Sequence, residues 1–334
     1  MRVAIWWVRR DLRLADSQAL DTALRHGEAV IPVYVLDPVL LRSHFVGLKR
    51  LAFLFQGLRK LDRDLRARGS RLVVRRGGPF GELKSLKDES GAQDIYAERD
   101  LSPYARRRDQ RVADHLPLHL TEDLTVHPPE AIRTRDGGAY RVFTPFNRTW
   151  GSLPPPSPAD ILQAPAHIPS PGETHTGVDL ETLRASGETP FRPGKAEAQR
   201  LLRAFTQGKS GPITRYAAER DRLDLEGTSR LSPYLRFGML SARQAACMIG
   251  KDYPAPIVDH AWARERALAA YARAREAKGG VKRQASGDSW QPGQAAASVD
   301  AQPRACSERG TGCALSPERR QDRGIGRWRM QGCR

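Results

Sequence analysis

Short apolar runs and longer amphipathic runs alternate along the first 121 residues. Residues 3–8, 29–37, 71–75, 94–98 and 118–121 are rich in β-branched or apolar side chains, each run the length of a buried strand. Helical periodicity fills the gaps at 17–25, 48–68, 80–90 and 103–115. In the second of these, Leu51, Leu54, Phe55, Leu58, Leu61 and Leu65 recur at three- and four-residue steps, with Lys49, Arg50, Arg59 and Lys60 on the other face. Such alternation predicts an α/β fold, a doubly wound, Rossmann-like parallel sheet with helices on both faces. A ligand would sit beyond the carboxyl ends of its strands.

The pattern changes after residue 150. Prolines at 154, 155, 156, 158, 165, 169 and 171 mark an extended linker, placed at 151–177. Helical periodicity then returns at 180–185, 195–206 and 216–223, an all-α region distinct from the domain at 1–150. Residues 279–334 lose all periodicity and are rich in Gly, Ser, Gln, Pro and Arg, the composition of a disordered tail.

The formal net charge of +17 and a pI near 10.3 suit a polyanionic partner, although an arginine-favouring codon bias gives the same numbers. Cys247, Cys306, Cys313 and Cys333 have neither CxxC spacing nor histidine partners, so the expectation is reduced thiols, no metal and no disulfide. Residues 3–8 are too short to span a bilayer, and a cytoplasmic monomer without membrane contact is expected. Gly77-Gly78-Pro79 lacks P-loop spacing and reads as a turn. After the first strand, Asp16 or Ser17 is placed to cap a helix, and Arg9, Arg10, Asp11 and Arg13 read as a salt-bridged, partly exposed cluster.

Residues 227–244, GTSRLSPYLRFGMLSARQ, hold two helix starts. Ser232 is an N-cap with Pro233 at the first helical position, Gly238 closes that helix, and Ser241 caps the next. Thr228, Ser229 and Arg230 put two hydroxyls and a guanidinium beside free backbone N–H groups, which suits a phosphate; a capped helix pair without a ligand accounts for the same residues. With Tyr216 and the Arg220-Asp221 pair (RYAAERD), the stretch resembles the flavin-binding signature of the DNA photolyase/cryptochrome family. WWVRRDLRLADSQAL at 6–20 is similar to that family's opening strand and loop, with Val8 and Ser17 as departures. YRVFTPFNRTW at 140–150 resembles the segment leading out of its α/β domain, its aromatics explained most simply as packing residues.

The resemblance, nearest to bacterial deoxyribodipyrimidine photolyases, implies light-driven, FAD-dependent splitting of cyclobutane pyrimidine dimers in UV-damaged DNA. It implies FAD contacts at Tyr216, Thr228, Ser229, Arg230, Leu231 and Ser232, and a DNA contact at Arg220. It also implies an antenna chromophore of pterin, deazaflavin or flavin type, near Glu98 and Arg99. After Gln244 the resemblance breaks: the family's lesion-facing helix and the segments closing its flavin pocket have no counterpart. Within a few residues the chain reads DYPAPIVDHAWARERALAAYARAREAK (252–278), which looks like the family's last segment. The truncated helical FAD-binding domain is therefore placed at 178–278. No catalytic residue is identifiable, since Trp262, Trp290 and Trp328 do not fit a tryptophan relay. The expectation is a photolyase by descent that is inactive or impaired as it stands. A non-catalytic remnant binding an antenna chromophore or DNA, and a cryptochrome-like photoreceptor, are the alternatives.

Overall fold

In a computed structural model the described residues are 1–252, except 44–45, 123, 173–174, 186 and 208–210, together with Ala269. Residues 1–252 lie in one compact unit, Met1–Asp259. The expectations for most of 252–278, for the tail at 279–334, and for Trp262, Trp290, Trp328 and the last three cysteines fall outside the described residues.

A five-stranded parallel sheet in the order β3-β2-β1-β4-β5 forms the frame. Its strands are β1 Val3–Val8, β2 Ala29–Leu36, β3 Val73–Arg76, β4 Asp94–Glu98 and β5 Leu118–Thr121. Every residue of central β1 is buried, because a parallel strand covered on both faces has no solvent side. Its alternation divides the core. Ala4, Trp6 and Val8 pack with Leu54, Leu58, Leu61 and Leu65 of α3 (Leu48–Arg66) and with α1 (Gln18–His26). Val3, Ile5 and Trp7 pack on the other face with Leu83 and Leu86 of α4 (Pro79–Ser90) and Val112 of α5 (Pro103–Ala113). Each fully buried leucine contributes about 1.5–3 kcal/mol.

Asp37, expected to end β2, instead caps a short helix, α2 (Pro38–Leu41), accepting from the Val39 N–H at 2.9 Å. Past α6 (Phe143–Ser152), the proline-rich segment runs extended along the α/β domain. Ile168 is fully buried and its N–H donates to the Arg68 carbonyl at 2.8 Å; the Val30 N–H donates to the Pro169 carbonyl at 2.8 Å. Val178 N–H bonds the Val74 carbonyl at 2.7 Å, which covers the free edge of β3. The helices that follow are α7 (Lys195–Thr206), α8 (Pro212–Glu219), α9 (Ser232–Arg236) and α10 (Ala242–Asp252). Leu202, Leu231, Tyr234, Met239 and Leu240 join the same apolar cluster as α1 and α3.

Several local expectations are corrected. The helix at 180–185 is only a 3-10 turn, Leu180–Thr182, and the one at 216–223 starts earlier and stops at Glu219. Ser232 makes no capping hydrogen bond; the cap position falls on Leu231, whose side chain has nothing to accept with. The aromatics of 140–150 pack as expected, though outside the core: α6 buries no residue, and Phe143 is 67% exposed. Tyr140, Phe143 and Phe146 pack on one another, while Trp150 meets His127 at 5.3 Å between ring centroids. In the arginine-rich loop after β1 only Arg10 is partly exposed, paired with Asp100 at 3.5 Å, whereas Arg9, Asp11 and Arg13 are buried.

Gly238 joins α9 to the sheet. Its φ is +65°, and a Cβ there would lie 1.6 Å from the Arg10 carbonyl oxygen. That closeness lets the Leu12 N–H donate to the Phe237 carbonyl at 3.2 Å and Arg13 Nη1 to the Gly238 carbonyl at 3.2 Å. Gly238→Ala is expected to lose more than the ~1–3 kcal/mol of a strained backbone alone, because the clash is with main chain. Urea unfolding checks this, and a loss under about 1 kcal/mol would contradict it.

Candidate functional site

The strand order reverses between β1 and β4: the chain runs from β1 outward to β3, then returns to β4 and β5 on the other side. At the carboxyl end of such a reversal the loops diverge and leave a crevice. Here it is a cleft of about 230 Å³, lined among others by Trp7, Tyr34, Asp37, Tyr104, Arg108 and Arg236. Leu41, Val46, Leu51 and Leu54 supply an apolar wall, and Arg10 and Arg50 also border it.

Several of these polar groups are held by partners within the fold. Asp109 sits on α5 directly after Arg108 and takes both neighbouring guanidiniums: Arg9 Nη1 at 2.6 Å and Arg108 Nη2 at 2.8 Å. Burial, and then the nearby Arg108 charge, push Arg9 below the usual arginine range, against the pull of Asp109. The same two cations converge on the Trp7 ring, with guanidinium carbons 4.5 and 4.9 Å from its centroid. The Tyr104 hydroxyl donates to Asp37 Oδ2. Desolvation first, and then this bond to the carboxylate, hold the Tyr104 phenol well above its ordinary value; burial pushes Tyr34 up to about 12. Both phenols therefore keep their protons at neutral pH.

Glu98 and Arg99 do not line this cleft. Buried Glu98 faces a second cleft of about 390 Å³, with Arg10, Arg13, Ser232, Ser241 and Ala242, and lies 3.8 Å from Arg13 Nη2. Arg99 points outward to Glu122 at 2.5 Å and Glu130 at 3.5 Å. Tyr104 and Arg108 were missed. Their signal is the i, i+4 spacing in the first turns of α5, which puts both on one side of the helix.

The flavin-signature residues do not gather at one site. Tyr216 is 37% exposed and meets Phe205 edge-on at 5.8 Å. Thr228 and Ser232 are exposed, Ser229 is half-buried and Leu231 is buried in the core. Arg230 has φ +53° and pairs with Glu226 at 2.8 Å. It lines a cleft of about 300 Å³ with Phe191, Arg192, Glu197, Arg200 and Tyr234, which shares no residue with the cleft containing Ser232. Tyr216, Thr228 and Ser229 border neither of these two clefts. Arg220 is solvent-facing beside Asp221 at 3.6 Å.

What the signature does locally is structural. Ser241 Oγ accepts from the Gln244 N–H at 2.9 Å while Gln244 Oε1 accepts from the Ser241 N–H at 3.3 Å, a reciprocal cap. Fully buried Asp16 receives Arg243 Nη2 at 2.6 Å and the Ser241 hydroxyl, while Ser17 caps α1 through the Leu20 N–H at 3.3 Å. Among the described residues no group of three His, Cys, Asp or Glu side chains could hold a metal ion, and no helix is long and apolar enough to cross a membrane.

Fold and sequence agree on the ancestry. A sequence model of the DNA photolyase family matches residues 4–164. A deoxyribodipyrimidine photo-lyase of Thermus thermophilus is 40% identical over 244 residues, covering 72% of this chain and 53% of that one. An uncharacterised 31.6 kDa protein encoded 5′ of atpI in Synechococcus PCC 6716 is 33% identical over 291 residues, 83% of this chain and 94% of that one. Among solved structures, the photolyase of Sulfolobus tokodaii with two FAD molecules superposes with a TM-score of 0.63 at 25% identity, over 79% of this chain and 56% of that one. The chain belongs to the photolyase/cryptochrome family. It spans about half the length of the curated photolyase it matches and nearly all of the shorter cyanobacterial relative.

Asp109 is the counter-charge on which the cleft wall depends. Asp109→Ala leaves two guanidiniums, each 10% exposed or less at the side chain, without their anion, and is expected to cost about 3–5 kcal/mol. Chemical denaturation checks it; a change under about 1 kcal/mol would show that the pair does not anchor α5.

Proposed function

We propose that the chain is a chromophore-binding member of the photolyase family that holds one planar, light-absorbing ring system in the switch-point cleft and does not repair DNA by itself. The observation that carries this reading is the cleft's lining, the tyrosines Tyr34 and Tyr104 beside an apolar wall and an arginine rim. A volume of about 230 Å³ lies just under the ~300–1,000 Å³ of small-molecule sites, room for one ring system and too little for a whole dinucleotide. A pterin, deazaflavin or flavin ring meets those requirements. The Sulfolobus tokodaii photolyase, solved with two FAD molecules and the implication of a novel light-harvesting cofactor, supports the same ligand class.

In this reading Tyr34 and Tyr104 supply the aromatic contact, Leu51 and Leu54 exclude water, and Arg10, Arg50 and Arg236 meet anionic substituents at the mouth. The bound ring supplies light absorption, and the protein supplies position and electrostatics. Photolyase activity needs more: a flavin enclosed by residues 216–232, and a lesion taken out of the duplex into a pocket. The scatter of those residues supports an impaired enzyme. DNA attraction through the +17 charge and Arg220 is the second reading, favoured by the exposure of that arginine.

The absorption spectrum of the purified chain, before and after blue light with a reductant, tests the proposal. The expected result is at most a single antenna-type band, no stoichiometric photoreducible FAD and no loss of dimers from irradiated DNA. One FAD per chain with light-dependent repair would overturn it. In reconstitution with flavin mononucleotide, Arg50→Glu at the cleft mouth should weaken binding about tenfold, equivalent to about 1.4 kcal/mol. Arg63→Glu, on the exposed side of α3, should not change it.

A further inference from the structure

Three electron-rich rings line the cleft, and their surroundings differ in one respect that decides their photochemistry. Loss of an electron from an indole leaves a radical cation, which nearby positive charge disfavours. Trp7 has the Arg9 and Arg108 guanidiniums 4.5 and 4.9 Å from its centroid, with Asp109 offsetting part of their charge. A phenol is different, because its oxidised form is a strong acid and the electron leaves readily only when a base takes the proton in the same step. The Tyr34 hydroxyl has no acceptor among the described residues. The Tyr104 hydroxyl donates to Asp37 Oδ2, and Asp37 is buried with Oδ1 fixed by the Val39 N–H at 2.9 Å.

We propose that Tyr104 is the electron donor to a light-excited, electron-accepting ring bound in this cleft, and that Asp37 takes its proton. The proposal rests on the reading of the cleft given above. One electron passes from the Tyr104 ring to the excited acceptor as the O–H bond breaks and the proton moves to the Asp37 carboxylate. Tyr104 is left as a neutral radical and Asp37 as a neutral acid. Arg108, with its guanidinium carbon 5.9 Å from the Tyr104 centroid, opposes a phenol radical cation and so favours joint departure of electron and proton. Return of the electron from the acceptor and of the proton from Asp37 restores the starting state, so no other reactant is consumed. The consequence is a cleft in which light drives charge separation without a tryptophan relay.

Time-resolved fluorescence of flavin mononucleotide bound to the full chain tests this, with absorbance titration and co-elution reporting binding separately. Bound flavin should show a lifetime much shorter than free flavin. Tyr104→Phe should lengthen it several-fold, and D₂O should lengthen it in the native chain but not in that variant. Asp37→Asn, which keeps the oxygen facing Val39, should also lengthen it. Binding retained with an unchanged lifetime in Tyr104→Phe overturns the inference alone, as does a larger response to Trp7→Phe than to Tyr104→Phe. Failure of flavin mononucleotide to bind sinks the reading of the cleft, and this inference with it.

Discussion

The loop after β1 buries a cluster of charges, and the fold is arranged to compensate them. Arg9, Asp11, Arg13 and Asp16 lie within eight residues and are all buried. An ion moved out of water costs several kcal/mol unless charges or dipoles replace the lost hydration. The replacements come from distant parts of the chain. Asp109 on α5 takes Arg9, the Gly238 carbonyl takes Arg13, and Arg243 of α10 with its cap Ser241 takes Asp16. Asp11 stays local, accepting from the Arg9 N–H at 2.7 Å and the Trp6 indole at 3.1 Å. Such pairs add little net stability over apolar residues of the same size, but an unsatisfied member is costly. Their effect is positional: α5, α9 and α10 can dock only where the charges are met.

Both clefts at this end of the sheet follow from that constraint. Arg9, Arg10 and Trp7 form a wall of the switch-point cleft, while Arg10 and Arg13 border the second one under α9 and α10. One loop therefore separates a ring-sized site in the α/β layer from the underside of the flavin signature. The cations that hold α5 in place are also the ones beside Trp7, so structural compensation and the electronic character of the cleft have a common source.

Periodicity made the sheet legible because strands and amphipathic helices are short-range patterns. Residues 3–8, 94–98 and 118–121 begin and end as strands where the sequence places them, and 48–66 carries the apolar stripe that meets β1. Partner choice was not legible. Asp16 and Arg243 are separated by 227 positions, and nothing local to either distinguishes a buried pair from a solvated charge. Arg9 likewise finds Asp109 100 positions away, and Arg9, Arg10, Asp11 and Arg13 therefore read as a partly exposed cluster. Carboxyl-end logic pointed to an edge of the sheet and not to residues; the resemblance added Glu98 and Arg99 at the end of β4, while the first cleft opens between β1, β2 and the first turn of α5. The aromatic run at 140–150 packs as expected, but outside the core. Apolar composition suggests burial, yet burial needs an opposing surface, and among the described residues the ring contacts of α6 are with Tyr140, His127 and its own aromatics.

The flavin signature separates into two sets of residues by what they touch. Leu231 and Tyr234 sit in the core, Gly238 allows the main chains to meet, and Ser241, Arg243 and Gln244 cap α10 and satisfy Asp16. This set is needed for the sheet loop to be buried at all, with or without a cofactor. Tyr216, Thr228, Ser229 and Ser232 make no comparable contact with the α/β domain, and three of the four are exposed. A motif that serves as both a structural cap and a cofactor contact can keep the first role where the second is incomplete, because the buried charge of Asp16 must be answered in either case. Resemblance at 227–244 is thus strong evidence for the fold and the family, and weaker evidence for a bound dinucleotide. Among the described residues the second set forms no ion pair and no core contact with the sheet domain, so the fold does not rest on it.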